Sequence, residues 1–174
     1  MDFSIFVSLD KFSPSGLVWK ERTLELFKSA RSFRHFNNNR AGKTAGYKTS
    51  DNNGYVSWRI EIQSQVFIVS RIVWEMTNGE IPDGMVIEHR NGDALDNRVE
   101  NLRLATVSQN KMNERLRRDN LSKIKGIERI GGKWRARIGA GGKVKIGMFD
   151  TPELAHQAYI SAAKTRDSEF NRAF

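Results

Sequence analysis

The sequence predicts an α+β chain of modular build, and three observations predict it. Between Met85 and Asn113 a short apolar strand, a polar loop, a second short strand and a helix start follow in that order. From about residue 123 onward, three short strand signals separated by glycine pairs precede one helix with an apolar face. Ahead of both, short β-branched and aromatic runs alternate with turn signals, which makes the N-terminal part β-rich. The expected organisation is a first region over 1–110, a basic connector over 111–122 and a sheet-plus-helix module over 123–174.

Each element has a local reason. Ser13-Pro14-Ser15-Gly16 is a turn, and Leu17-Val18-Trp19 after it reads as a strand. Residues 20–36 mix helix formers with Arg and Phe and read as helix. Asn37-Asn38-Asn39, Gly42 and Gly46 mark a loop. Tyr55–Ile62 and Gln65–Val69 read as a hairpin around Gln63-Ser64. Ser70 is placed as the cap of a helix over Arg71–Thr77, which Asn78-Gly79 ends. Ile81-Pro82-Asp83-Gly84 is a turn leading into the strand Met85–Ile87, and Leu102–Ala105 is a second strand. Thr106-Val107-Ser108-Gln109 has the form of a capping box, so Asn110 falls in the first turn of a helix. In the tail, Gly126–Ile130, Lys133–Ile138 and Lys143–Phe149 read as strands. Thr151 then caps a helix that begins at Pro152, with Leu154, Ala155, Ala158, Tyr159 and Ala162 on one face.

Composition narrows the classes of function. Ten Phe, four Trp and 39% hydrophobic residues support a real core rather than global disorder. With no cysteine, disulfides and Cys-ligated zinc are excluded, so no structural zinc is expected. No apolar run is long enough to span a membrane, and the N-terminus lacks the features of a signal peptide, so an intracellular protein is expected. The net charge is +9. Its distribution is uneven: residues 1–110 balance at +1, 111–145 at +9 and 146–174 at −1. An excess confined to 35 residues is the footprint of a polyanionic partner; the plain alternative is a solvated basic surface.

The chemically dense stretch lies between residues 88 and 110. A carboxylate, Glu88, adjoins an imidazole, His89, at the end of a strand. Asn91, Asp93, Asp96, Asn97 and Asn101 follow, then Asn110. One carboxylate and one amide oxygen are a credible site for magnesium, which keeps most of its waters. A neutral His near pH 7 can take a proton from an attacking water. By composition alone these remain ordinary loop residues. His35 and His156 have no such surroundings and are not assigned as ligands.

The spacing adds to this. Ile87-Glu88-His89-Arg90-Asn91-Gly92-Asp93, Asp96-Asn97-Arg98, Asn101-Leu102-Arg103 and Gln109-Asn110 closely resemble the signature of HNH homing endonucleases, which are common in phages. Phe12–Lys20, Ala41-Gly42, Gly54-Tyr55 and Arg71–Trp74 resemble the N-terminal part of such enzymes. The resemblance implies a ββα-metal unit over about 85–113 that hydrolyses DNA phosphodiesters with one divalent metal, magnesium or else manganese. It implies His89 as general base, Glu88 and Asn110 as metal ligands, and Asn101 as the loop residue that fixes the site and orients the His. Asp96, Asn97 and Arg98 are expected to hold the loop. Two departures stand out: Glu88 replaces the usual Asp, one methylene longer, and Ser70 stands where relatives often carry His.

The tail carries a second resemblance. Gly126-Ile127, Arg129, Trp134–Ile138, Ile146–Thr151, Ala155, Ala158-Tyr159 and Asn171–Phe174 are similar to the Apetala-two-type DNA-binding domain. That domain reads the major groove with a three-stranded sheet. The resemblance implies DNA contacts from Arg129, Trp134, Arg135, Arg137, Lys143 and Lys145. Strand alternation puts Arg135 and Arg137 on one face and Trp134, Ala136 and Ile138 on the other, and leaves open which face is wet. The reading is a monomeric homing-type endonuclease of double-stranded DNA that nicks one strand per event, working in a phage-infected host. The rivals are a DNA-binding regulator with a degenerate nuclease fold and an RNA-binding protein.

Overall fold

A computed structural model of the chain describes residues 1–52, 54–107, 109–110, 124–139 and 144–167. The chain divides into two compact units, Met1–Leu104 and Ala105–Phe174. Both are mixed α and β.

The first unit opens with the strand pair β1 (Val7–Leu9) and β2 (Leu17–Trp19), antiparallel around the Ser13–Gly16 turn. Gly16 sits at φ +85°, and Ser13 and Ser15 hydroxyls both donate to the Leu17 carbonyl, at 2.7 and 3.0 Å. Helix α1 (Ala30–Asn39) begins later and ends later than the sequence suggests. Ser29 caps it by accepting from Ser32 N at 3.2 Å. The asparagine run expected as loop continues the helix because its side chains find backbone partners. Asn37 exchanges two hydrogen bonds with the Arg22 backbone, and Asn39 Nδ2 donates to the His35 carbonyl at 2.8 Å.

Strands β3 (Tyr47–Ser50), β4 (Val56–Ile62) and β5 (Gln65–Ile68) form an antiparallel sheet in that order. In β4 Trp58, Ile60 and Ile62 point into the core, while Arg59 and Glu61 point away. The β4–β5 turn holds Gln63 and Ser64 at φ 51° and 63°, the two-residue geometry that glycine and asparagine usually supply. β3 was not expected, because Tyr-Lys-Thr-Ser carries no apolar alternation; the ladder to β4 defines it. Helix α2 (Val69–Asn78) starts ahead of Ser70. Its N-cap is Ile68, without a side-chain cap, and Ser70 is buried in the first turn, which corrects the capping role given to it. Gly79 at φ 88° ends the helix as expected. Strands β6 (Met85–His89) and β7 (Leu102–Thr106) pair as a two-stranded sheet, β7 running across the boundary between the units. Val7, Leu17, Ile60, Ile62, Val69, Ile72 and Val73 are the centre of the core, with Leu102 of β7 joined to it.

In the second unit the capping box forms reciprocally. Thr106 N donates to Gln109 Oε1 at 2.8 Å, and Gln109 N donates to Thr106 Oγ1 at 3.2 Å. Strands β8 (Ile127–Ile130), β9 (Lys133–Ile138) and β10 (Val144–Phe149) make an antiparallel sheet with β9 central. Helix α3 (Pro152–Asp167) packs on it, with Thr151 Oγ1 accepting from Leu154 N at 3.3 Å. Its buried face is Ala155, Tyr159 and Ala163. Leu154, expected on that face, is half exposed, because the helix presents small residues to a close sheet.

Gly126 precedes β8 at φ +75°, and a Cβ there would stand 2.2 Å from ring carbons of the buried Tyr159. Gly126→Ala is therefore expected to combine a left-handed backbone cost of about 1–2 kcal/mol with overpacking of about 1–3 kcal/mol. Urea unfolding followed at Trp134 should report a loss of that size.

Candidate active site and basic sheet face

Glu88 and His89 end β6, and both side chains are buried. His89 Nε2 lies 3.1 Å from Asn97 Oδ1. Asn97 Nδ2 in turn donates to the Ser15 carbonyl at 3.0 Å. That second bond orients the amide, so its oxygen faces the ring. With its oxygen turned to the ring, the amide accepts from an Nε2–H, which fixes the tautomer and the ring plane. Asn97, which was expected only to hold the loop, thus contacts the ring.

Asn101, expected to orient the ring, spends its side chain elsewhere. Its Nδ2 donates to Asn91 Oδ1 at 3.0 Å and to the Asp96 carbonyl at 2.7 Å, and its Oδ1 accepts from Asn91 N at 3.0 Å. Its carbonyl accepts from Arg90 N at 2.8 Å. Asn101 therefore closes the loop between β6 and β7 around its own backbone. Asp96 and Arg98 complete the closure with a two-pronged ion pair at 2.8 and 2.7 Å, and Asn91 Nδ2 donates to Asp96 at 2.8 Å. The Arg98 hydrogen bond above all holds the Asp96 carboxyl down at about 2. That preference is present above the ordinary carboxylate range and is lost only as pH falls towards 2.

Glu88 has two unlike oxygens. Oε2 accepts from Arg103 Nε of β7 in a buried ion pair. Oε1 is buried with no hydrogen-bond partner. A buried carboxylate oxygen with an unspent lone pair is costly unless a ligand completes it, and a hard divalent cation fits that donor. Among the described residues no group of three or more His, Asp or Glu surrounds it. A cation held here would keep several waters, as magnesium does. Asn110 stands in the second unit, on the helical turn begun by the Thr106–Gln109 box. Arg103 escaped the sequence reading; the available signal was a cation on the strand that must pair with β6.

Asn97→Ala is expected to lower cleavage about 10- to 100-fold, the usual cost of losing an orienting partner. Cleavage rates at saturating metal would check it, with circular dichroism confirming that the variant is folded.

In the second unit the strand register sorts the nominated residues by face. Glu128 pairs with Arg135, and Lys145 with Arg137, so these four share one face. Glu128 Oε1 accepts from Arg135 Nε and from Arg137 Nη1, each at 2.8 Å. Arg129 pairs with Trp134 and lies on the other face, where Trp134 packs with the core of Ile127, Ala136 and Ile138. Lys143 and the connector residues Lys111, Arg115, Arg117 and Arg118 lie outside the described residues.

Residues 67–112 match a protein-family model described as HNH endonuclease. The match covers β6, the loop and β7. The chain is also 38% identical over 73 residues to Protein 3.8 of Escherichia phage T7. That alignment covers 41% of this chain and 60% of the relative. No solved structure gives a significant match. Among the described residues, no helix is long and apolar enough to cross a membrane.

Proposed function

We propose that the chain is a divalent-metal-dependent endonuclease of double-stranded DNA with His89 as its general base. The observation that carries this reading is the His89–Asn97–Ser15 chain of contacts on the strand that also holds the buried, unpartnered oxygen of Glu88. The Asn97 contact holds the ring against rotation. Glu88, and by the resemblance Asn110, would hold the metal, magnesium in preference to manganese. A bound metal would supply charge stabilisation at the phosphate and leaving oxygen. His89 takes the proton from the attacking water. Asn101, Asn91 and Asp96 keep the loop in the shape that places Asn97.

The exposed face of the C-terminal sheet serves as the DNA-reading surface of an Apetala-two-type module. Arg135, Arg137 and Lys145 form its cationic group, with Lys143 beside them in sequence. Arg129 contributes from the far face, and Trp134 is a packing residue rather than a contact. Arginine forks match guanine edges and phosphates. The module fixes position, the first unit cuts, and a monomer with one metal cuts one strand per event. The domain limits proposed remain 1–110, 111–122 and 123–174, and the homing role goes with the family resemblance.

One observation favours a second reading. Arg103 already balances the charge of Glu88 and pairs with one of its oxygens, as it would in a regulator that binds DNA without cutting it. Supercoiled plasmid incubated with the protein, with and without Mg²⁺ or Mn²⁺, separates the two. Metal-dependent conversion to the nicked form supports the nuclease. Tight binding with every plasmid left supercoiled supports the regulator.

A further inference from the structure

The outer face of the β3–β4 sheet carries a polar and aromatic cleft in the first unit. Register places Tyr47 opposite Arg59 and Thr49 opposite Ser57, all on the face turned away from the core. Tyr55 stands at the rim, fixed by two bonds to Asp51. Its N–H donates to Asp51 Oδ1 at 2.8 Å, and its carbonyl accepts from Asp51 N at 3.0 Å. These residues line a cleft of about 280 Å³. Both tyrosine rings are exposed, while Ser57 at the base is buried. Exposed aromatic rings on a sheet, spaced by small hydroxyl residues, are unexplained by packing. The same arrangement offers stacking surfaces to bases.

We propose that this cleft receives one nucleotide of the DNA strand being cut, with its base against Tyr47 and Tyr55 and its phosphate on Arg59. The chemistry fits a nucleotide better than a bare anion. One guanidinium serves one phosphate, two rings serve a base or sugar, and Asp51 offers an acceptor that would repel a second phosphate. The Tyr55 hydroxyl is pushed up by partial burial first, then by the negative charges of Asp51, Asp93 and Glu88. The inference rests on the nuclease reading and adds to it the place where the strand is held.

The test uses the full chain and a duplex containing a mapped cut, with 5-iododeoxyuridine placed at successive positions. Irradiation of the uncut complex, held by omitting metal, should cross-link one position within a few nucleotides of the cut to Tyr47 or Tyr55. Tyr47→Ser and Tyr55→Ser should each raise KM about tenfold, the scale of one lost base–aromatic contact, with kcat nearly unchanged. Cross-links mapping elsewhere, or serine variants with unchanged KM on DNA that wild type still cuts, would overturn the cleft alone. A wild type that cuts no DNA with any divalent metal would overturn the nuclease reading and the cleft with it.

Discussion

His89→Ala should abolish metal-dependent plasmid nicking while leaving DNA affinity intact. Proton transfer by a positioned side chain contributes roughly 10²- to 10⁴-fold to rate. The structure argues for the upper part of that range, because the ring is buried and its Nε2 is committed to Asn97. Binding is expected to survive, since the cationic face of the second unit does not involve His89. Single-turnover nicking and a gel-shift titration on the same preparation would check both halves. A variant that nicks within tenfold of wild type, a threshold at the low side of about 10²-fold, would remove His89 from the role of base.

Arg103→Ala is expected to destabilise the first unit by about 3–5 kcal/mol, the cost of leaving a buried charge without its partner. Glu88 is 3% exposed, and with Arg103 gone both of its oxygens would face the interior unpaired. The same loss has a second consequence. A carboxylate freed from Arg103 is a stronger cation ligand, so added Mg²⁺ should restore part of the lost stability through linkage. Urea midpoints with and without the metal would show this as a shift larger in the variant than in wild type. Replacing both residues, Glu88→Gln with Arg103→Met, should recover most of the stability, because a well-packed neutral pair avoids the desolvation of two ions. That double variant should not cut.

Much of the architecture was legible locally. The Thr106–Gln109 box, the Thr151-Pro152 helix start, the Gly79 stop and the three tail strands are each written in a few neighbouring residues, and each is found within one or two residues of its expected place. The errors share a cause. α1 was placed too early and its asparagines were read as loop, because the bonds that make them helical run from Asn37 to Arg22, 15 residues away. β3 was missed because an edge strand of polar residues has no pattern of its own and exists through its ladder to β4. Ser70 looked like a cap by residue type, yet the chain enters α2 directly from β5, and the position is buried.

The site divides along the same line. Sequence alone determined which residue types are present and at what spacing: a carboxylate and an imidazole at a strand end, a loop of short polar side chains, and arginines alternating on a strand. Those follow from nearest-neighbour chemistry, which any short segment carries with it. Tertiary structure decided which of them meet. Asn97 reaches Ser15 across 82 positions, Glu88 meets Arg103 across 15, and strand register sends Arg129 to the face opposite Arg135 and Arg137. The orientation of one imidazole and the charge balance of one carboxylate depend on contacts between segments that no local pattern records. Such contacts are chosen by the packing of the whole core, where Leu17 of the first hairpin and Leu102 beside the β6–β7 loop are buried together.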